Sequence, residues 1–167
     1  MRIAVSGAHC VGKTTLIEGF LATHPEFAHE PEPYTVLVED YGEEFSAKPC
    51  VEDFRRQLEF SVERISKYAP GENVICERCP IDFIAYINAL DPSYASPRLQ
   101  PISKYLDLIV YLPIENDDDV EYPKLRTAVD RRLSAILIDD DLALIDVPVI
   151  EVRGSTARRL GILQKAL

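Results

Sequence analysis

The residues with the clearest chemistry lie near the N-terminus, where Gly7, Gly12, Lys13 and Thr14 fill the fixed positions of the pattern G-x-x-x-x-G-K-[ST]. Glycines let backbone N–H groups close around a polyphosphate, and the amino end of a following helix adds positive potential. We expect Lys13 to reach the β- and γ-phosphates and the Thr14 hydroxyl to ligate Mg²⁺. The expected ligands are a nucleoside triphosphate and Mg²⁺, and the predicted binding residues are Gly7, Ala8, His9, Cys10, Val11, Gly12, Lys13, Thr14 and Thr15.

The segments on either side of this loop are those that the chemistry needs. Residues 2–6 form a short apolar run typical of a buried strand, and residues 15–21 begin a helix with apolar positions at 16, 17, 20 and 21. A chance match inside a glycine turn does not account for both flanking elements. The sequence therefore predicts a strand, a phosphate-binding loop and a helix in that order.

Strand and helix patterns alternate along the rest of the chain. Further strands are predicted over 27–29, 74–76, 106–112 and 147–152, and further helices over 34–41, 51–68, from 81 onward, 122–138 and 156–167. Surface loops are expected at 91–101 and at the acidic run 116–119, which is typical of a solvated loop rather than a metal site. Alternation of this kind predicts an α/β fold, namely a three-layer α/β/α P-loop NTPase domain over 1–167 with a mainly five-stranded parallel sheet.

Carboxylates and an arginine follow two of the predicted strands. Glu30 and Glu32 lie among prolines that must end the second strand, and Glu77 and Arg78 directly follow the third. Ligands of open α/β sheets bind at the carboxyl ends of the strands. Glu77 is the candidate that reaches Mg²⁺ through water, whereas Glu32, or Glu30 as the alternative, could orient or deprotonate a hydroxyl.

Other nucleotide-binding classes lack their characteristic residues in this chain. The Asn-Lys-x-Asp run with which a GTPase reads guanine is absent, and no apolar strand ends in Asp-Glu as in a mechanical ATPase. Residues 136–140 resemble such a strand, but their apolar positions continue the helical stripe that starts at Leu125. We interpret them as the end of a helix.

Composition restricts the compartment and the partners. A net charge of −10 argues against a nucleic-acid partner, because such binding depends on clustered Lys and Arg. No apolar run approaches the roughly 20 residues that span a bilayer, and the strand beginning at Arg2 leaves no room for a leader, so we expect a cytoplasmic protein. The four cysteines are expected to be free thiols; Cys76 and Cys79 form a lone C-x-x-C that is typical of buried residues rather than a redox or zinc site.

The run Glu77-Arg78-Cys79-Pro80-Ile81-Asp82-Phe83-Ile84-Ala85-Tyr86 resembles the D-R-x-P-x-D-x-x-A-Y signature of a group of P-loop ATPase and kinase domains. That group includes the ribosylnicotinamide kinase domains of bacterial NAD regulators. The run is also similar to the E-R-S motif of deoxynucleoside kinases and the D-R-[YHS] motif of thymidylate kinases. Glu32-Pro33 resembles the Glu-Pro of the same kinases, and Glu77 departs from the Asp that this group has at its position.

The resemblance implies a kinase that transfers the γ-phosphate of ATP to a small molecule. It assigns Lys13 and Arg78 to phosphate and acceptor binding. Arg126, Arg131 and Arg132, on the predicted polar face of helix 122–138, resemble lid arginines, with the lid at about 115–140. Residues 153–159 correspond to a loop near the nucleotide base or phosphates.

Two functions from different classes remain open at this point. One is a nucleoside- or nucleotide-kinase-like enzyme with a hydroxyl or phosphate acceptor, and the other is a regulatory ATPase that acts through a protein partner. A domain that has lost nucleotide binding is disfavoured, because Lys13 and Thr14 are both present. The sequence identifies neither the acceptor nor the oligomeric state.

Overall fold

The computed structural model describes residues 1–94, 101–116 and 119–167. The strands are β1 Arg2–Ser6, β2 Ala28–Glu30, β3 Val74–Glu77, β4 Leu108–Tyr111 and β5 Val149–Glu151. The helices are α1 Lys13–Leu21, α2 Pro33–Glu39, α3 Val51–Ile65, α4 Pro80–Leu90, α5 Pro123–Leu137 and α6 Thr156–Gln164, with a 3₁₀ turn at Ile102–Lys104.

The strands form one parallel sheet in the order β2-β3-β1-β4-β5. The three central strands β3, β1 and β4 are buried along their whole length, as expected for a sheet covered on both faces. Helices α3, α4 and α5 pack side by side, while α1 packs against α6 and contacts β1 and β3. The predicted α/β class and five-stranded parallel sheet are confirmed.

The strand order fixes where the loops meet. β1 and β3 are neighbours with Val5 opposite Glu77, yet the helices that follow them belong to the two different helical groups. The loops after these two strands therefore separate at the carboxyl edge of the sheet and leave a crevice between them. Such a crevice is the ordinary binding position in open α/β sheets.

Several predicted boundaries shift by a few residues for local reasons. The 51–68 helix ends at Ile65, because residues 66–68 continue in tighter turns in which Lys67 N donates to the Arg64 carbonyl. The strand predicted over 106–112 begins only at Leu108, since a 3₁₀ turn precedes it and Asp107 accepts the Arg2 N–H. Residues 136–140 do end a helix, as expected.

The predicted position of Arg126 on the polar face of α5 is wrong. The sequence pattern puts Arg126 on the polar face of α5, but this residue is buried and directed at the loop after β1. Its neighbours Val129 and Leu133 on the same helix belong to the core. Arg126 thus occupies the inward side of α5, where a guanidinium is tolerated because backbone carbonyls accept its protons.

Parts of both predicted surface loops, residues 95–100 and 117–118, lie outside the described residues. None of the described helices combines the length and the apolar character needed to cross a bilayer. Cys76 and Cys79 are buried free thiols, in keeping with their predicted packing role.

Candidate functional site

The loop between β1 and α1 is shaped by two glycines. A Cβ atom at Gly7 would lie 2.6 Å from the Leu112 carbonyl oxygen, so no side chain fits there. Gly12 adopts a φ of 90°, in the left-handed region, and directly precedes α1. Within the described residues the backbone N–H groups of 10–12 donate to no protein acceptor, and the first-turn N–H groups of α1 have no partner inside the helix. The loop therefore presents a row of unused donors, as a phosphate cradle requires.

Three cationic side chains bind backbone carbonyls of this loop. Lys13 Nζ donates to Ala8 O at 2.8 Å, and Arg159 Nη1 donates to Val11 O at 2.7 Å. Arg126 donates through Nε and Nη2 to the carbonyls of residues 9 and 10, at 3.1 and 3.2 Å. These contacts hold four successive carbonyls of the loop, from residue 8 to residue 11, and bring three positive charges next to it.

The ammonium group of Lys13 is unusually easy to deprotonate in this setting. Burial, reinforced by the nearby Arg78 guanidinium, lowers the pKa of Lys13 from 10.5 to about 8. The free protein therefore gains stability as the pH rises between these two values, because the unfolded chain binds more protons there. A bound polyphosphate would restore the charged form.

ATP binding at about pH 9 is accordingly expected to be coupled to uptake of up to one proton. Calorimetric titration in two buffers of different ionisation enthalpy measures this number. The control is Lys13→Arg, whose guanidinium stays charged and should remove the uptake. Equal proton uptake in both proteins would show that Lys13 is not its source.

A hydroxyl and a carboxylate meet at the amino end of α1. Thr14 Oγ1 donates to Glu77 Oε1 at 2.9 Å, across the β1–β3 crevice. Glu77 is 7% exposed and forms no ion pair with any residue that the structure describes. Hard oxygen ligands of this kind suit Mg²⁺, so the two residues predicted to hold the ion lie where they could do so together.

Glu32 and Arg78 form an ion pair at the mouth of the crevice. Arg78 Nε donates to Glu32 Oε1, and Nη1 donates to Gly7 O at 3.1 Å. Arg78 holds a left-handed backbone with φ of 71°, a conformation that surrounding contacts must stabilise. Burial works to raise the pKa of Glu32, but Arg78 and Lys13 outweigh it and leave that pKa below its ordinary value. Glu32 is therefore an ionised carboxylate near neutral pH.

A fully buried carboxylate, Asp82, connects the loop to this ion pair. It accepts hydrogen bonds from Gly7 N at 3.0 Å, Ser6 Oγ at 2.8 Å and Cys79 N at 3.0 Å. Arg78 Nη1 lies 3.6 Å from Asp82 Oδ1. One side chain thus holds the start of the phosphate loop and the turn that carries Arg78 at a fixed spacing.

A cavity of about 450 Å³ opens beside the loop, on the side of Glu32 and Arg78. Its lining includes five aromatic side chains, namely Tyr34, Phe45, Phe54, Tyr86 and Tyr122. The Tyr86 hydroxyl accepts the His9 N–H at 3.0 Å and so joins the loop to α4. On the far side, Tyr122 Oη donates to Ala47 O at 3.1 Å across the cavity edge.

Other candidates from the sequence lie apart from the loop. Glu30 is buried in a bidentate pair with Arg64 and accepts the Tyr68 hydroxyl, so it fastens β2 to α3. Arg132 binds Asn88 and Asp141. Arg131 is exposed on α5 and makes no described contact with the loop, so its catalytic role stays a prediction.

Sequence reasoning assigned no individual role to three residues that hold the site together: Asp82, Tyr86 and Arg159. Asp82 and Tyr86 stand within the signature that begins at Glu77, which was the available signal. Arg159 carried no signal beyond its place in the 153–159 segment. It also pairs with Glu115, whose carboxylate accepts the Gly154 N–H at 2.8 Å. Among the described residues, no group of His, Cys, Asp and Glu forms a metal cluster.

The fold and the phosphate loop define a P-loop NTPase domain. The profile of the family described as "AAA domain" matches residues 2–159, and the chain belongs to that family. A search of curated proteins returns no significant match.

Several solved structures share this fold over nearly the whole chain. Deoxyadenosine kinase from M. mycoides with bound dATP superposes with a TM-score of 0.67 at 11% identity, covering 99% of this chain and 98% of that one. Thymidylate kinase from Candida albicans gives 0.62 at 15% identity, with 98% and 89% coverage. NadR in complex with NR superposes with a TM-score of 0.64 at 16% identity. The match covers 98% of this chain but only 49% of the NadR chain. At these identities the likeness establishes the fold alone.

Proposed function

We propose that this protein is an ATP-dependent kinase that transfers the γ-phosphate of ATP to a small molecule held in the cavity beside the phosphate loop. The observation that carries the proposal is the position of Glu32. Its carboxylate lines the cavity and is bound through Arg78 to Gly7 of the loop. A proton acceptor at the border between a phosphate cradle and a second pocket is what phosphoryl transfer to an acceptor requires.

In the proposed reaction an acceptor oxygen attacks the γ-phosphorus while the bond to the β,γ-bridging oxygen breaks. ADP leaves with that electron pair, and the acceptor proton passes to the Glu32 carboxylate. Lys13 and the loop N–H groups neutralise charge on the phosphates, and Arg78 orients Glu32 and the acceptor. Because the transition state is loose, positioning and charge neutralisation supply most of the catalysis.

Mg²⁺ fits this proposal through the oxygen atoms of Thr14 and Glu77, which already lie within hydrogen-bond distance of each other. When bound, the ion neutralises phosphate charge at the site of transfer. Arg126 contributes positive charge through its contacts with the loop carbonyls. Because the proposed kinase uses cellular ATP as its substrate, it is expected to act in the cytoplasm, with neither nucleic acid nor a membrane as a partner.

A screen of acceptors tests the proposal directly. Purified protein with ATP and Mg²⁺ is incubated with nucleosides, nucleoside monophosphates and small alcohols, and both ADP and the phosphorylated product are measured. We expect one acceptor class to raise ADP formation by about 100-fold or more, with matching product. Lys13→Ala serves as the background control. Slow ADP formation that no acceptor changes would contradict the kinase and favour the regulatory ATPase.

A further inference from the structure

Three cationic side chains near the site bind the phosphate loop rather than line the cavity. The cations Lys13, Arg126 and Arg159 all bind loop carbonyls, and none of them lines the cavity. Among the described residues that line the cavity, the carboxylates are Glu32, Asp53 and Glu121, and there is one Arg and no Lys. The described lining of the cavity therefore carries three carboxylates against one Arg, which gives the acceptor side an excess of negative charge.

The arginine in the cavity lining is already engaged. Arg78 donates to Glu32 Oε1, to Gly7 O and to the Tyr86 hydroxyl, the last at 3.5 Å. Its charge is balanced by Glu32, with Asp82 a further neighbour at 3.6 Å from Nη1. An arginine in this state offers little attraction to an anionic group on an incoming molecule.

The other two lining carboxylates have no counter-ion in the described part of the chain. Asp53 is half-buried, and its Oδ2 accepts the Ser46 N–H at 3.0 Å, which fixes it at the cavity wall. Glu121 is exposed, so solvent screens it more strongly. His9 adds no compensating charge at neutral pH, because burial, aided by nearby cations, lowers its pKa.

The remaining walls of the cavity suit a flat, weakly polar ligand. Phe54 and Tyr86 lie nearly parallel with ring centroids 4.5 Å apart, and the other aromatic rings line the same cavity. Gln57 is buried among these residues and can donate or accept hydrogen bonds. Aromatic faces next to carboxylates without counter-ions favour neutral or cationic ligands over anions.

We infer that the acceptor is a hydroxyl compound without negative charge, and that Asp53 is the residue that rejects phosphate-bearing acceptors. This inference rests on the proposed kinase function and decides between the hydroxyl and phosphate acceptors that it leaves open. A phosphate monoester entering the cavity would place its charge against Asp53 and Glu121, and the described lining residues offer no uncompensated cation in return. A neutral or cationic alcohol meets no such repulsion.

Binding of matched fragments tests the charge rule without any knowledge of the natural acceptor. Benzyl alcohol, benzyltrimethylammonium and phenyl phosphate are titrated into protein saturated with Mg²⁺ and a non-hydrolysable ATP analogue, which occupies the phosphate loop. Shifts of the Phe54 and Tyr86 resonances report binding in the cavity. We expect the alcohol and the ammonium compound to bind at least about 10-fold more tightly than phenyl phosphate. Tighter binding of phenyl phosphate, or no binding of the first two, would overturn the inference.

Asp53→Asn should raise the affinity for phenyl phosphate about 3- to 10-fold. Glu52→Gln is the matched control, since it removes the same charge from an exposed neighbouring position outside the cavity lining. An equal effect of both variants would indicate a general charge effect and contradict the role of Asp53.

The acceptor screen separates failure of this inference from failure of the kinase proposal. Phosphorylation of a nucleoside monophosphate on its phosphate group would overturn the inference while supporting the kinase. If no acceptor is phosphorylated, the kinase proposal fails, and the fragment titration still decides which charge the cavity accepts.

Discussion

Replacing Glu32 by Gln is expected to lower acceptor-dependent turnover by about 10²- to 10⁴-fold, the range for loss of a general base. The amide keeps an oxygen that can accept the hydrogen bond from Arg78, so the ion-pair geometry is largely retained. It cannot accept the proton of the acceptor hydroxyl. The measurement is kcat with the acceptor found in the screen, alongside the dissociation constant for ATP, which should change little.

Glu30→Gln is the matched control for this variant. It makes the same chemical change two residues earlier, but Glu30 is buried against Arg64 and Tyr68 rather than at the cavity. We expect a lower unfolding free energy with kcat preserved. If Glu30→Gln abolished turnover and Glu32→Gln did not, the assignment of the base to Glu32 would be wrong.

The pH dependence of kcat/KM gives an independent check on Glu32. Because Arg78 and Lys13 hold its pKa below the ordinary glutamate value despite burial, the carboxylate stays ionised through neutral pH. The acid limb of kcat/KM, which reports the free protein, should therefore lie below the ordinary value of 4.5, and activity is lost as the pH falls through the shifted pKa. Glu32→Gln should lack this limb, whereas Glu30→Gln should keep it.

The phosphate loop and the sheet could be predicted from the sequence because both depend on local patterns. Fixed spacing identifies Gly7, Gly12, Lys13 and Thr14, and apolar runs identify the strands. Parallel pairing then follows from the alternation of strands and helices, since parallel neighbours need crossover connections. Glu77 could be assigned to the same sheet edge as Thr14, because it directly follows an apolar strand.

Side-chain partners across the sheet could not be predicted in this way. Glu30 and Glu32 are equivalent in sequence pattern, and only the tertiary structure determines that Glu30 meets Arg64 of α3 and Glu32 meets Arg78 in the turn before α4. Arg126 is a charged residue of the kind expected on the polar face of a helix. It is buried instead, because it donates to loop carbonyls that lie 116 and 117 residues away in the chain. The five aromatic residues of the cavity come from separate segments and form no recognisable run.

Asp82→Asn is expected to lower kcat/KM for ATP about 10- to 100-fold and to reduce the unfolding free energy by about 1–3 kcal/mol. Asp82 is fully buried and accepts from three donors, on Ser6, Gly7 and Cys79. Asparagine must direct an NH₂ group at one of these donors. The donor that faces this NH₂ group stays buried without an acceptor, and either the first glycine of the loop or the turn bearing Arg78 is no longer held in place.

Asp82 touches no substrate in this scheme, so it is a positioning residue and its test must separate position from stability. Asp130→Asn is the matched control, because Asp130 Oδ1 accepts from the Tyr111 hydroxyl at 2.9 Å and the Ile114 N–H at 3.2 Å, away from the loop. Both variants should lose stability in denaturant titrations. Assayed well below their unfolding transitions, only Asp82→Asn should lose kcat as well as affinity for ATP, since the loop and Arg78 act at different stages of the reaction. If kcat were unchanged in Asp82→Asn, Asp82 would have only a structural role. That result would also show that catalysis does not depend on how Asp82 positions Arg78.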